Sequence, residues 1–481
     1  GMLARTFLSR FFPNNNASTD ACQIPRVSHP TLARIHIPGA LVPAAFYQTL
    51  TGVKRHEIYP VAWSAVYFFC LLCSYYVLRP VRDEMAIQAG VENLQWTFTA
   101  TFVVMLAIVP VFGWAVKRFA LSRLLPGVYV FFAANLLLFY ALMESGVERR
   151  WTAQAFFVWV SVFNLFVVSV FWSFMADLFE STQAKRLFGL IAAGGSVGAV
   201  SGPLITVWLS TRIGPENLLL VSTGFLLLAL VAVSALLRYA RPAGDGVAQH
   251  DRTLPIGGSI FGGIRLTLQS PYLLGIALYI VLFTTLATFL YFEQARMVRD
   301  AFESSAERTR LFAAMDLAVN SLTLLGQIFV AGRVMTRFGL GTALAVLPLV
   351  SVAGFAVLAV FPLLGVIIAL QILRRTLNFF LAKPAREALY TVVRPEEKYK
   401  AKNFIDTVVY RGGDAASGWV YTALRALGLG SAGIALTALP LAAIWMLLGL
   451  KLGARHAAQE KVQLAAVARE KSRDNAGEEE I

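Results

Sequence analysis

The sequence predicts an all-α membrane protein, with about twelve transmembrane helices in two pseudo-repeated six-helix bundles. Three observations carry that reading. Of the 481 residues, 57% are hydrophobic and only 15% charged, with a mean hydropathy of +0.64, whereas ordinary soluble domains are roughly 25% charged. The apolar residues gather into runs long enough to cross a bilayer, which takes about 20 residues. Landmarks of the first half also return in the second: Arg82-Asp83 as Arg299-Asp300, Gly113…Arg118-Phe119 as Gly332…Arg337-Phe338, and Gly194-Gly195 as Gly412-Gly413. Three ordered matches at one nearly constant offset point to a duplicated unit.

Taken in chain order, residues 1–56 come first as a polar cytoplasmic tail, poor in acids and dotted with Arg5, Arg10, Arg26 and Arg34. That composition suits either a targeting segment or a solvated disordered arm. Six spans follow near 58–79, 94–116, 124–143, 153–178, 187–209 and 217–237, giving a first bundle over 57–237. Residues 238–270 read as a polar cytoplasmic linker. The second bundle, 271–452, holds spans near 271–293, 311–331, 341–361, 363–390, 402–424 and 432–452, and 453–481 form a charged cytoplasmic tail, in part a surface helix.

Basic residues resist translocation, so their placement sets orientation. With the N-terminus inside, the inner loops collect Lys117, Arg118, Arg123, Lys185, Arg186, Arg333, Arg337, Lys398, Lys400 and Lys402, and both termini are expected in the cytoplasm. Arg118, Lys185, Arg186 and Arg337 are candidates for a cytoplasmic gate. The formal charge of +14 then reflects topology and contact with the lipid bilayer, not nucleic acid. A monomer is expected, in a bacterial cytoplasmic membrane or an organelle inner membrane.

Enzymatic signatures lack their parts. The Gly194 to Gly198 stretch spells G-x-S-x-G, yet a serine nucleophile needs a nearby base, and His29, His36, His56, His250 and His456 all fall outside the spans. Neither HExxH nor GxxxxGK[ST] occurs. Cys70 and Cys73 form a CxxC inside an apolar run, but structural zinc takes four ligands and Cys22 is the one other cysteine. No cofactor or metal is expected. Gly194, Gly198 and Gly202 recur every fourth residue, the spacing that lets a neighbouring helix approach closely.

Ionised side chains inside a bilayer cost about 2.5–3.5 kcal/mol each on insertion scales, so they usually face a cavity and act there. Here they are Arg79, Arg82, Asp83 and Glu84 at the end of the first span, Glu293 at the end of the seventh, Asp316 in the eighth, Arg374 and Arg375 in the tenth, and Asp406, Arg411 and Asp414 in the eleventh. Arg375, Asn378, Ala382 and Arg386 follow at helical steps of three and four, as do Asp406, Tyr410 and Asp414. Guanidinium forks match the paired oxygens of carboxylates and phosphates. Arg79, Arg82, Arg374, Arg375, Asn378 and Arg411 are therefore candidates for holding an anionic small molecule. Asp83, Glu84, Glu293, Asp316, Asp406 and Asp414 are candidates for ion pairs with these cations or for carrying a coupling proton. The charges closing the first span also admit a plainer reading, as interfacial caps or as a lock between the halves.

Two resemblances bear on this. GWAVKRF (113–119) and GRVMTRF (332–338) resemble the glycine-and-arginine loop motif of the major facilitator superfamily, and GLIAAGGSVGAVSGP (189–203) resembles its antiporter motif without the closing glycine pair. In that fold the first, seventh, eighth, tenth and eleventh helices line the central cavity. Within the superfamily the chain resembles the nucleotide transporter family of plastid and parasite ATP/ADP translocators. The stretches that carry the likeness are YVLRPVRDEM (76–85), VVSVFWSFMADLF (167–179), YFEQARMVRDAF (291–302) and REALYTVVRPEEKYKAKNFIDTVVYRGGDAASG (386–418). The resemblance implies a substrate-facing cation at Arg82 and a functional glutamate at Glu293. Where the translocators carry a glutamate midway along the fourth helix, this chain has Val160, Ser161 and Asn164; where they carry a lysine among the eleventh helix's glycines, it has Asp414. A carrier of anionic solutes, nucleotides or other phosphorylated metabolites among them, working by alternating access, is the expectation; ATP/ADP exchange in particular does not follow. Two alternatives stand beside it, a proton-coupled permease or exporter of another small molecule and a non-transporting membrane sensor or assembly partner.

Overall fold

The computed structural model describes residues 53–118, 121–146, 148–240 and 260–478. The elements among them are all helical. The first half comprises α1 (Ile58–Gln88), α2 (Leu94–Arg118), α3 (Leu121–Ser145), α4 (Arg149–Leu178), α5 (Ser181–Ile213) and α6 (Leu218–Ala240). A short helix, Ile260–Gln269, precedes α7 (Pro271–Ala301), α8 (Ser305–Phe329) and α9 (Ala331–Val360). Helix α10 runs Leu364–Leu377, passes a π turn at Asn378–Ala382 and continues over Lys383–Ala388. Helix α11 is built the same way, from Pro395–Phe404, a π turn at Ile405–Val409 and Tyr410–Ala426. Helix α12, Ser431–Glu478, carries the C-terminal charged stretch onward without a break. Most of the N-terminal tail and residues 241–259 of the linker lie outside the described residues.

Eleven helices among the described residues are long and apolar enough to span a membrane. The exception is α11, whose first piece carries Glu396, Glu397, Lys398, Lys400 and Lys402 and whose second carries Arg411 and Asp414. Its second piece packs against α2 on one side and α7 on the other.

The duplication is visible in lengths: α1 and α7 have 31 residues each, α2 and α8 have 25 each. Each half also has its own hydrophobic core. One core is drawn entirely from residues between Val61 and Leu236, and the other from residues between Tyr272 and Leu452 with a few from the end of α1, the start of α2 and Phe157. Between the bundles, α5 meets α8, α2 meets α11 and α1 meets α8.

Close approach of α5 to α1 depends on missing side chains. A Cβ at Gly194 would strike the carbonyl of Ala65, one at Gly198 the carbonyl of Phe69, and one at Gly202 would come within 2.8 Å of Tyr76 Cβ. Across the pseudo-repeat, Gly413 of α11 is closed off by Thr284 of α7 and Gly418 by Phe292. Cys70 and Cys73 are free thiols buried in α1, with Cys73 backbone against the same glycine stripe. The turn from α1 to α2 pivots on Gly90, whose φ of 95° suits only a residue without a Cβ. That turn sets Glu92 outside the membrane face. In α9, Gly339 (φ 77°) breaks the helix just after the GRVMTRF motif.

Helix α1 does not stop at Arg79. It continues through Pro80 to Gln88, so Arg79, Arg82, Asp83 and Glu84 occupy the helix body, not an interfacial cap.

Candidate functional site

The charged residues of α1 meet those of α8 and α10 where the two bundles touch. Asp316, midway along α8, sits between two guanidiniums from opposite halves: Arg79 Nε of α1 is 3.6 Å from Oδ2, and Arg375 Nη2 of α10 donates to Oδ1. The carboxylate is 1% exposed, while the Arg79 and Arg375 side chains keep 14% and 15% of their surface. The acid is therefore enclosed and the cations retain partial access to solvent. One helical turn further along α1, Arg82 donates to Asp83 Oδ1 from Nε at 3.2 Å and Nη2 at 2.7 Å. The same oxygen accepts from the Tyr291 hydroxyl of α7 at 3.1 Å. Arg82 also lies over the Phe157 ring of α4, 5.0 Å from its centroid. Beside them, Asn320 of α8 donates to the Ala199 carbonyl of α5 at 2.6 Å, tying the halves at mid-depth.

The adjacent Arg374 points elsewhere. It is buried, reaches only Gln371 Oε1 at 3.3 Å, and lies 5.7 Å from the ring centroid of Phe283 in α7. The π turn explains why the simple helical spacing of Arg375, Asn378, Ala382 and Arg386 fails. An extra residue per turn rotates everything after it, so Arg386 joins Arg374 at Phe283, 4.9 Å from the centroid, instead of lining up with Arg375. Asn378 is buried in the turn itself. On α11, Arg411 lies 3.8 Å from Asp414.

Glu293 and Asp406 do not pair with the arginines of α1 and α10, whereas Asp414, 3.8 Å from Arg411, attracts Arg374 of α10 from further off. Glu293 accepts from Tyr421 at 2.6 Å and Ser431 at 2.7 Å, with Arg425 of α11 at 3.8 Å. Two residues past Tyr291 is about 200° round the helix, so Glu293 faces Tyr421 and Ser431 while Tyr291 faces Asp83. Asp406 is 3.8 Å from Lys402, which also binds Glu387. The partners of the central arginines are Asp316 and Asp83.

Glu84 turns away from the cluster towards α8. It is fully buried and takes both forks of Arg308, Nε at 2.7 Å and Nη2 at 2.8 Å. Nearby, Arg299 binds Glu92 at 2.5 Å and Gln88 donates to Ser305 at 3.1 Å. These bonds tie the bundles together at the end of the molecule where α1 finishes. Trp96 and Trp419 add an edge-to-face contact there, and Trp419 Nε1 donates to Thr99.

Of the four cytoplasmic-gate candidates, Arg186 binds Glu57 at 2.6 Å within its own bundle. Lys185, Arg118 and Arg337 are exposed. Arg337 lies against its neighbour Phe338. Ser161, near the position where the translocators carry a glutamate, bonds back to the Phe157 carbonyl.

Sequence reasoning overlooked Tyr291, Phe283 and Arg308. Tyr291 had a signal, standing two residues before Glu293 in a stretch already singled out. Arg308 looked like a loop charge, and nothing in the pattern marked it as the partner of a buried acid 224 positions earlier.

A family model described as the Major Facilitator Superfamily matches residues 64–400, well over half of the chain. The chain belongs to the major facilitator superfamily. It is a multi-pass membrane transporter for small molecules, with the two six-helix bundles that this superfamily implies. This facilitator is similar to ADP,ATP carrier protein 1 of Chlamydia muridarum (strain MoPn / Nigg), 24% identical over 446 residues covering 78% of this chain and 83% of the relative. Among solved structures it is similar to the POT family transporter PepTSo, with a TM-score of 0.59, 13% identity, and coverage of 84% of this chain and 98% of that one. It is also similar to the nucleoside transporter NupG, with a TM-score of 0.55 and 13% identity over 83% and 99% of the two chains. At those identities the structural likenesses speak to the fold alone.

Proposed function

We propose that this facilitator exchanges anionic solutes, of the nucleotide or phosphorylated-metabolite class, across a bacterial cytoplasmic membrane. It works as a monomer in the bilayer, by rocking residues 57–237 against 271–452. The observation that carries the reading is the sharing of Asp316 by Arg79 and Arg375, cations from opposite bundles. An enclosed carboxylate between two cations is a stand-in for a guest anion: substrate oxygens that take over the guanidinium donors release Asp316 and Asp83 and so alter what holds the halves together. Because charge buried without a partner is expensive, the empty carrier returns to its internal ion pairs. That penalty favours exchange over one-way leak.

The relatives support the solute class: the Chlamydia protein is an ADP,ATP carrier, and planar guanidinium forks suit phosphoryl oxygens. The test is thermal unfolding of the purified protein with a panel of nucleotides, sugar phosphates, dicarboxylates and orthophosphate, paired with exchange in proteoliposomes. Arg82→Gln and Arg375→Gln should each remove the anion-dependent rise in melting temperature, and flux should require a counter-substrate on the far side. Intact protection in both variants sinks the proposal. Uptake driven by an imposed pH gradient alone would instead favour a proton-coupled permease.

A further inference from the structure

Two cations of the C-terminal bundle take no part in the ion pairs just described. Arg374 is 6% exposed, yet one neutral acceptor, Gln371, is its single hydrogen-bond partner, and its Nε is buried with none. Arg386, beyond the π turn on the same helix, buries Nη1 unpartnered. Neither has a carboxylate within 4 Å among the described residues: Asp414 on the facing helix is 3.8 Å from Arg411 and attracts Arg374 from further off, and Glu387 stands beside Lys402. Both guanidiniums lie against one ring, Phe283, and the buried Oδ1 of Asn378, between them in the chain, also lacks a partner.

A desolvated cation without a counter-charge in contact is costly, and two that share a neighbour also repel. A contact with an aromatic face returns only about 0.5–2 kcal/mol. The arrangement makes physical sense when the counter-charge arrives with a ligand. Adjacent residues on a helix point about 100° apart, so a single turn of α10 sends Arg375 to Asp316 and Arg374 to Phe283. The π turn then brings Arg386 round to the second direction.

We infer that Arg374 and Arg386, seated on Phe283, form a second anion subsite that holds a further phosphoryl group of a substrate already held by Arg79, Arg82 and Arg375. The substrate class that fits is an oligophosphate: a solute with consecutive anionic groups, one per subsite. This rests on the reading of the central arginines given above. The two subsites differ in kind. At the first, the ligand displaces Asp316 and Asp83; at the second, it displaces no carboxylate.

The probes are tripolyphosphate and orthophosphate, with binding to purified full-length protein in nanodiscs measured by calorimetry. Wild type should prefer tripolyphosphate. Arg374→Gln and Arg386→Gln should each weaken tripolyphosphate about tenfold or more. Orthophosphate, which the first subsite holds by itself, should weaken by less than about threefold. Arg386→Lys should recover part of the loss. A second readout separates binding from architecture: removing an unpaired buried cation should leave ligand-free thermal stability equal to or above that of wild type, whereas a structural arginine would lower it. An equal fall for both probes, or no fall for tripolyphosphate, overturns the second subsite. If Arg375→Gln abolishes binding while Arg374→Gln and Arg386→Gln do not, this inference fails and the proposed function stands. If wild type binds neither probe, both fall.

Discussion

Asp316 is the residue on which the empty state turns. It touches Arg79 and Arg375 at once and is almost wholly enclosed, so Asp316→Asn leaves two neighbouring cations short of their common acid. Removing one partner of a buried pair typically costs about 3–5 kcal/mol. The ligand-free variant should therefore melt earlier than wild type. An anion added to it meets guanidiniums with no competing carboxylate, so the rise in melting temperature on adding tripolyphosphate should be larger in Asp316→Asn than in wild type. Calorimetric titration checks the same point as a tighter dissociation constant. Exchange should slow, because without Asp316 no internal acid competes the more tightly held anion off Arg79 and Arg375. An equal thermal gain in both proteins would mean that Asp316 and the anion do not compete for the same donors.

At the scale of elements, the glycine stripe of α5 and the π turn of α10 decide where those side chains end up. Gly198 has no room for a Cβ against the Phe69 carbonyl, and backbone cannot yield as a side-chain tip can. Gly198→Val should cost about 1–3 kcal/mol or more by overpacking, lowering both the yield of folded protein in detergent and its melting temperature. Gly189→Val, with open space around it, should cost far less, and equal losses at the two positions would contradict this packing role. Much of this level was legible in the sequence. The apolar runs, the repeat, the every-fourth-residue glycines and the cluster of arginines are local patterns with fixed periods, and periods survive folding. The π turns left no such mark, and with them went the register of α10: Arg386 was placed on the Arg375 face and belongs at Phe283. Partner choice was equally hidden. Glu293 and Asp406 carry the same chemistry as Asp316 and Asp83, and the direction each acid takes round its packed helix determines which of them reach Arg79, Arg82 and Arg375.

For the whole molecule, the decisive feature is where the bundles are fastened. The contacts at Asp316 and Asn320, midway along α8, suit a pivot, whereas Glu84–Arg308 and Glu92–Arg299 close the end of the molecule where α1 finishes. The two outer pairs are unequal. Glu92 and Arg299 are largely solvated, and such pairs contribute about 0–1 kcal/mol. Glu84 is 0% exposed and holds both forks of Arg308, so losing the arginine strands a carboxylate that only Gln88 still touches. Opening that end would let water reach Glu84. Arg308→Ala should accordingly shift the population towards the state open at that end, by as much as tenfold for each ~1.4 kcal/mol of penalty relieved, while Arg299→Ala changes it little. Spin labels at Asn93 and Glu303, with the native cysteines replaced, would report this as a longer inter-bundle distance in Arg308→Ala. Glu84→Gln with Arg308→Ala should fall back towards the wild-type distribution, because the neutral amide tolerates burial better than the stranded carboxylate. A distance distribution in Arg308→Ala identical to wild type would mean that the pair braces α1 against α8 without governing the opening between the halves.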